Sequence, residues 1–370
     1  MALPFFCGMA PRIGARFTNP PVTSKGNYGN WGVPRRLPME LMNAMLKHSH
    51  TRPVLLALLA LTCLSAAEDG HDSAGVPTYR TVVSEVRVTF FATDENNRSL
   101  QTVTKLDFAV VDNEEVVRSF RSLQPSDETA LDLVVLVDLS ESVAPRFRVA
   151  ISDVQRLIRE QSIADDNIAV LSFGGSLGGT SGQASAGSRP VILCSSGCRA
   201  SDSVAKLQAA KSGGLTPLFD ALIFATDFIS QRRRADGRND VRPVLILFSD
   251  GNDTISLHSA SEALQAAQDV RALIYSVDIG ASERPTSGGR LLQRASDATG
   301  GRYFSPSFSL DDGAASLLAT VLEDLRASYV VTYDLPSRLA AFHAVRLLPT
   351  HNLNLTFHSQ SGYIYEPCGQ

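Results

Sequence analysis

The sequence predicts an α/β fold: a doubly wound, mostly parallel sheet flanked by helices, with small all-β N- and C-terminal segments. Three observations lead there. Near-continuous apolar runs occupy 131–139, 167–173, 243–249 and 272–280, as strands buried on both faces require. Helical periods separate them: Val143, Phe147, Ala150, Val154 and Leu157 recur at three- and four-residue steps, as do Leu218, Leu222, Ala225 and Ile229. Each set gives a helix one apolar face. Shorter segments rich in β-branched and aromatic residues precede and follow this alternation, the mark of additional strands. Buried strands alternating with amphipathic helices specify βαβ units.

In chain order, residues 1–44 are rich in Pro, Gly and Asn without periodicity, and are read as a non-structural extension or a misassigned start. Val54 to Ala66 is a continuous apolar stretch behind Lys47, His48, His50 and Arg52. It is shorter than the ~20 residues that cross a bilayer as a helix. A basic region, a short apolar core and Ser65-Ala66-Ala67 match a secretory signal over 45–67, cleaved after Ala67. That order favours a true start at Met42 or Met45 over a genuine extension with an internal anchor. The mature chain is then expected to be exported (periplasmic, cell-surface or secreted), with no membrane span.

Residues 68–127 read as a β-rich module. The segments 82–92 and 106–111 are strand-like, and 114–120 is the second arm of a hairpin turning at Asp112-Asn113. The α/β domain spans 128–327, its last helix carrying Leu318, Val321 and Leu325. Residues 328–370 return to short strands, which need a partner surface because two-stranded ribbons are marginal alone. That surface is expected to be the N-terminal β module or the edge of the α/β domain. The 370 residues are 44% apolar and 19% charged, with a net charge of −4. The balance is that of a globular protein, and it lacks the basic stripe that nucleic-acid binding needs. After cleavage Cys194, Cys198 and Cys368 remain. An oxidising compartment permits a Cys194–Cys198 bridge across a turn opened by Gly197, and two free thiols are the alternative that sequence leaves standing.

One set of residues carries chemistry. The first buried run ends in Asp138-Leu139-Ser140-Glu141-Ser142, and 243–249 ends in Asp250. Between them Gly213-Gly214-Leu215-Thr216-Pro217 sets a hydroxyl just before a helix. Ligands of open α/β sheets bind outside the carboxyl ends of the strands, where Asp138, Ser140, Ser142, Thr216 and Asp250 can converge. The set offers two carboxylates and three hydroxyls, with no nitrogen or sulfur. That chemistry selects Mg²⁺, Mn²⁺ or Ca²⁺ over zinc or copper. Two acids leave such an ion receptive to one more anionic oxygen from outside.

These residues resemble the metal-ion-dependent adhesion site of von Willebrand factor A domains: Asp-x-Ser-x-Ser, Thr after a Gly-Gly turn, and Ser-Asp-Gly. The resemblance covers 128–327 and implies that family's Rossmann-like fold. It further implies that Ser140 and Ser142 ligate directly, that Asp138 and Asp250 act directly or through water, and that Thr216 ligates in the partner-binding form. A partner protein's Asp or Glu carboxylate would complete the shell, and no enzymatic role is expected. Leu106-Asp107-Phe108-Ala109-Val110 with Asp112-Asn113, and Tyr329-Val330-Val331-Thr332-Tyr333 with Gly362-Tyr363, resemble the flanks of a secreted A-domain-related family of acidobacteria.

Simpler readings compete. Ser142 and Thr216 suit helix N-caps, with Pro217 at the first helical position. Asp250-Gly251 suits a turn. Asp253 is read as an outer acid near the metal, and Asp220 as a first-turn helix charge. Gly174-Gly175-Ser176-Leu177-Gly178 matches a nucleophile elbow, making Ser176 the candidate of a hydrolase reading. The Gly/Ser stretch after it is not the helix that motif needs. An envelope scaffold with a purely structural metal is the remaining alternative.

Overall fold

The computed structural model describes residues 85–365 apart from 127–129, 161, 176–187, 200–201, 238–240, 283, 285, 306–312 and 338–340. The N-terminal extension, the signal segment, Ser176 and Cys368 lie outside the described residues.

Four strands open the described chain: β1 (Glu85–Thr93), β2 (Phe108–Asp112), β3 (Glu115–Val116) and β4 (Ser122–Pro125). The α/β region follows with β5 (Ala130–Asp138), α1 (Phe147–Arg159), β6 (Ile168–Phe173), β7 (Val191–Cys194), α2 (Ser203–Ala209) and α3 (Leu218–Asp236). It continues through β8 (Val241–Ser249), α4 (Ala260–Asp269), β9 (Leu273–Asp278), α5 (Ser287–Thr299), β10 (Tyr303–Phe304) and α6 (Gly313–Arg326). The chain closes with β11 (Tyr329–Asp334), β12 (Ala341–Pro349), β13 (Thr356–Ser359) and β14 (Gly362–Tyr365).

The central sheet has six strands in the order β10-β9-β8-β5-β6-β7. All neighbours are parallel except β6 and β7, so the expected doubly wound sheet is present with one antiparallel edge. Both faces are covered. Val135, Val137, Ile246 and Tyr275 meet α1 and α6 residues such as Val154 and Val321. Val134, Leu136, Leu245 and Ile274 meet Leu222, Ala225 and Leu292 on the other side. Alternate residues of one run thus enter opposite cores, which is why the runs are continuously apolar. Each fully buried Val, Leu or Ile contributes about 1.5–3 kcal/mol.

The flanking segments form one module. β1 lies between β11 and β13, and β12 lies between β2 and β14, so strands from before and after the α/β region interleave. Phe90, Phe108, Val331, Tyr333 and Val345 fill the space between the two four-stranded sheets. The β2–β3 hairpin turns one residue later than its sequence suggests. Asn113 and Glu114 both have positive φ, 51° and 68°, the two-residue geometry that suits a twisted hairpin. The strand after it is also shorter, Glu115–Val116.

Cys194 and Cys198 are joined in a disulfide, with Cα atoms 5.5 Å apart and Gly197 at φ +63° in the turn between them. Among the described residues, no helix is long and apolar enough to cross a membrane.

Candidate metal-binding face

The five sequence-selected residues stand at the carboxyl ends of β5 and β8 and on the loop before α3. Asp138 is fully buried. Its carboxylate accepts the Ser140 amide at 2.8 Å and the Ser249 hydroxyl at 2.7 Å. Burial pushes its pKa up to about 6, and neighbouring Asp250 adds to the rise while the bonds from Ser140 and Ser249 oppose it. Ser140 is buried and Ser142 exposed, with their Oγ atoms 3.2 Å apart. The strand alternation has ended by then: Ser140 begins a 3-10 turn over Glu141–Val143.

Backbone bonds draw three loops together. The Leu139 amide donates to Phe173, Gly213 to Leu139, Glu141 to Gly214 and Gly175 to Gly213, over 2.8–3.2 Å. Gly174 makes the approach feasible. Its φ is +67°, and a Cβ there would lie 2.9 Å from the Ser140 amide nitrogen and 3.3 Å from the Leu215 carbonyl oxygen. The Gly174-Gly175 pair, read in sequence as half of a nucleophile elbow, thus backs the Ser140 and Thr216 loops. Thr216 is buried; its amide donates to Thr254 Oγ1 at 2.7 Å, and Thr254 returns an amide bond at 2.9 Å. Asp250 accepts the backbone and side-chain nitrogens of Asn252 at 3.0 and 2.9 Å.

Capping does not account for these hydroxyls. Neither the 3-10 turn, α1 nor α3 has a side-chain cap from its N-cap residue, which is Ser140, Arg146 and Pro217 respectively. The open amides of α3 are met from another loop. Asp253 accepts the Leu218 amide at 2.9 Å, and Ser256 Oγ accepts those of Phe219 and Asp220 at 3.0 and 3.2 Å. The structure therefore places Asp253 as a cap on α3. Asp220 in the first turn of α3 accepts the Leu257 and His258 amides and contacts His258 Nδ1 at 2.7 Å.

A third acid joins the face that the sequence reading passed over. Asp278 ends β9 in register with Ser249 on β8. It accepts the Gly280 amide and the Tyr303 hydroxyl, each at 2.8 Å. A Cβ on Gly280 would sit 2.9 Å from Asp278 Oδ1 and 3.5 Å from Asp250 Cβ, so the two acids border one niche. Burial raises the Asp278 pKa, and Asp250 raises it further. The available signal was positional: three adjacent strands, β5, β8 and β9, carry Asp at or just beyond their carboxyl ends.

Residues 132–311 match the family model of the von Willebrand factor type A domain. That segment has the fold of an A domain. Its fold is similar to that of manganese-loaded TRAP protein of Plasmodium vivax, at 15% identity and a TM-score of 0.34, over 68% of this chain and 97% of that one. Proximal thread matrix protein 1 from the mussel byssus is similar at 14% identity and a TM-score of 0.35, over 58% of this chain and 51% of that one. The pilus adhesin SpaC of Lactobacillus rhamnosus GG gives 10% and 0.38, over 68% and 47%. The chain thus spans about half the length of the last two. No curated protein matches the sequence.

A domains commonly bind a divalent metal, and the residues of this one fit such an ion. Among the described residues no three His, Cys, Asp or Glu side chains cluster to hold a metal by themselves. The paired Ser140 and Ser142 hydroxyls would add oxygen donors beside Asp138. Buried Asp138 beside Asp250 is a concentration of negative charge that a cation would offset. Hard oxygen donors with water completing the shell are what Mg²⁺ takes.

Proposed function

We propose that the A domain holds one divalent cation, Mg²⁺ or alternatively Mn²⁺ or Ca²⁺, and binds a partner protein through it. Ser140 and Ser142 would ligate the ion directly. Asp138 and Asp250 would act directly or through water, and Thr216 would ligate when a partner is bound, completing the resemblance to a metal-ion-dependent adhesion site. The bound ion would supply an open Lewis-acid position for an Asp or Glu carboxylate of the partner. The chain's own part is to fix the donors: Ser249 and the Ser140 amide orient Asp138, Asn252 orients Asp250, and Thr254 holds the Thr216 loop. One observation carries this reading: Ser142 and Thr216 stand at the face without capping the helices beside them. The role is one of binding, not catalysis. Export fits the Cys194–Cys198 disulfide, which an oxidising compartment sustains, and the flanks fit the secreted acidobacterial family.

Calorimetric titration of the protein with Mg²⁺ and Mn²⁺ tests the proposal. Saturable one-site binding lost in Asp138→Ala is expected. Thr216→Ala should keep the cation but lose cation-dependent binding to an immobilised Asp/Glu peptide. A folded protein that binds neither ion overturns the reading.

A further inference from the structure

Helix α5 is held by backbone contacts at both ends, and the two ends belong to different parts of the molecule. Its first turn lies against the candidate metal face. A Cβ on Gly288 would collide with the Asp250 carbonyl oxygen and stand 3.1 Å from Asn252 Oδ1, and a Cβ on Gly251 would collide with the Gly288 carbonyl oxygen. Backbone thus meets backbone where β8 gives way to Asp250, with no side chain between. The same turn reaches Asp278, whose Oδ2 would lie 2.8 Å from a Cβ on Gly289. Thr286 Oγ1 accepts the Gly289 amide at 2.8 Å and so fixes the turn. The start of α5 is therefore a wall for two acids of the face, Asp250 and Asp278.

The other end, roughly 20 Å away at about 1.5 Å per residue, is fastened to the β module. The Ala298 carbonyl accepts the Ser361 amide and Gln268 Nε2, each at 3.0 Å, and Gln268 Nε2 also donates to Ser361 Oγ at 3.0 Å. Gln360 Nε2 donates back to the Gln268 carbonyl at 3.1 Å, and Thr299 forms a β-bridge with Gln360. The Ser361 carbonyl in turn accepts the Val345 amide of β12 at 2.8 Å. Between its ends α5 buries Leu292 and Ala295, and Ser296 Oγ donates to Ser276 Oγ of β9 at 3.0 Å. Close-packed interiors transmit displacement instead of absorbing it. A helix clamped in this way shifts as a unit, so slack at its β-module end reaches the Asp250 turn.

We propose that α5 positions Asp250 and Asp278 for the cation, and that the β module, by holding the far end of α5, sets how tightly the cation binds. The proposal rests on the cation reading above. Gly288, Gln268 and Ser361 are then positioning residues, none of them a ligand. Calorimetric Mn²⁺ titration of the full chain tests it. Gln268→Ala/Ser361→Ala should weaken Mn²⁺ binding at least threefold although both changes lie at the distant end of α5, and Gly288→Ala should weaken it at least tenfold. Ser361→Thr keeps the acceptor hydroxyl and should bind as the unaltered protein does. Coupling between two sites is reciprocal, so hydrogen exchange on the unaltered protein keeps the test valid should the variants fail to fold. Saturating Mn²⁺ should slow the Ser361 amide at least threefold more than the Val117 amide, which bonds the Val110 carbonyl beside the β2–β3 hairpin. Absence of Mn²⁺ binding by the unaltered protein overturns the cation reading, and this proposal with it. An unchanged Kd in the folded double variant, or equal slowing of the two amides, overturns this proposal alone and leaves the cation reading standing.

Discussion

Asp112 and Asp138 are both fully buried carboxylates, and they are answered in opposite ways. Asp112, in the β module, receives His343 Nδ1 at 2.9 Å, the Tyr333 hydroxyl at 2.9 Å and the Tyr363 hydroxyl at 2.7 Å. Likewise Asp324 on α6 faces Arg302, Ser99 and the Tyr275 hydroxyl. Asp138 has its two hydrogen bonds but also a second acid nearby, Asp250, with Asp278 beyond. Buried charge is tolerated where the protein supplies its partner. Where acid stands against acid, the proposed cation would supply the missing countercharge. Asp112 in the β module is answered by its own neighbours, and in the proposed reading a cation answers the acids at the strand ends.

The largest effect should come from breaking the answered site. Asp112→Ala strands three donors in the β module and is expected to cost on the order of 3–5 kcal/mol. Measured in chelator by denaturant unfolding, Asp138→Asn should cost only about 1 kcal/mol, because it loses one bond while relieving repulsion. Equal losses would erase the contrast between the two regions.

A pH scan sharpens the comparison from the β module's side. His358 stacks on Phe91 with ring centroids 4.6 Å apart and bonds Thr93 Oγ1 at 3.1 Å. Burial lowers its pKa from 6.5 to about 4, with Arg302 adding to the fall. The folded state therefore favours the neutral ring. This contribution to stability is full above about pH 6.5 and is lost as pH falls towards about 4. The swing is at most on the order of 3 kcal/mol, less because the ring keeps some solvent contact. His358→Phe keeps the stack and should flatten that part of the profile. An unaltered profile would move the acid sensitivity elsewhere.

Supplying the cation should move only the unanswered face. At about 100 times its Kd, the ion is expected to raise stability by ~2.7 kcal/mol. Asp138→Ala should abolish that gain in thermal unfolding, while Asp112→Ala, if folded, keeps it. Asp278→Asn is the mildest test. It removes one charge from the border of the Asp250 niche and should weaken cation affinity by about tenfold or less, near 1.4 kcal/mol. Unchanged affinity by calorimetry would remove Asp278 from the site's electrostatics.

What the sequence disclosed follows from where each signal lies. The strands β5, β6, β8 and β9 are legible because burial on both faces leaves unbroken apolar runs. β7 and β10 are too short to print a period, and β7 follows a Gly/Ser stretch that reads as loop. The pairing of β1 with β11 and of β2 with β12 joins residues far apart in the chain, a contact for which no local pattern exists. Asp138, Ser140, Ser142, Thr216 and Asp250 stand where apolar runs or glycine turns stop, so they are conspicuous. Asp278 hides within the run 272–280, and only the register of β8 and β9 reveals it. Asp253 looked like an acid near the metal because it follows Asp250 closely. Its carboxylate also accepts amide groups of α3, a contact between loops that spacing along the chain does not show.

Where a cation sits is the property of this face most directly open to measurement. Crystals soaked in Mn²⁺ and measured at its absorption edge would show it. The expected result is one anomalous peak within coordination distance of the Ser140 and Ser142 hydroxyls, absent in Asp138→Ala. Well-ordered crystals with no peak at that face, or with manganese bound only elsewhere, would contradict the claim that this acid-against-acid face is a cation site.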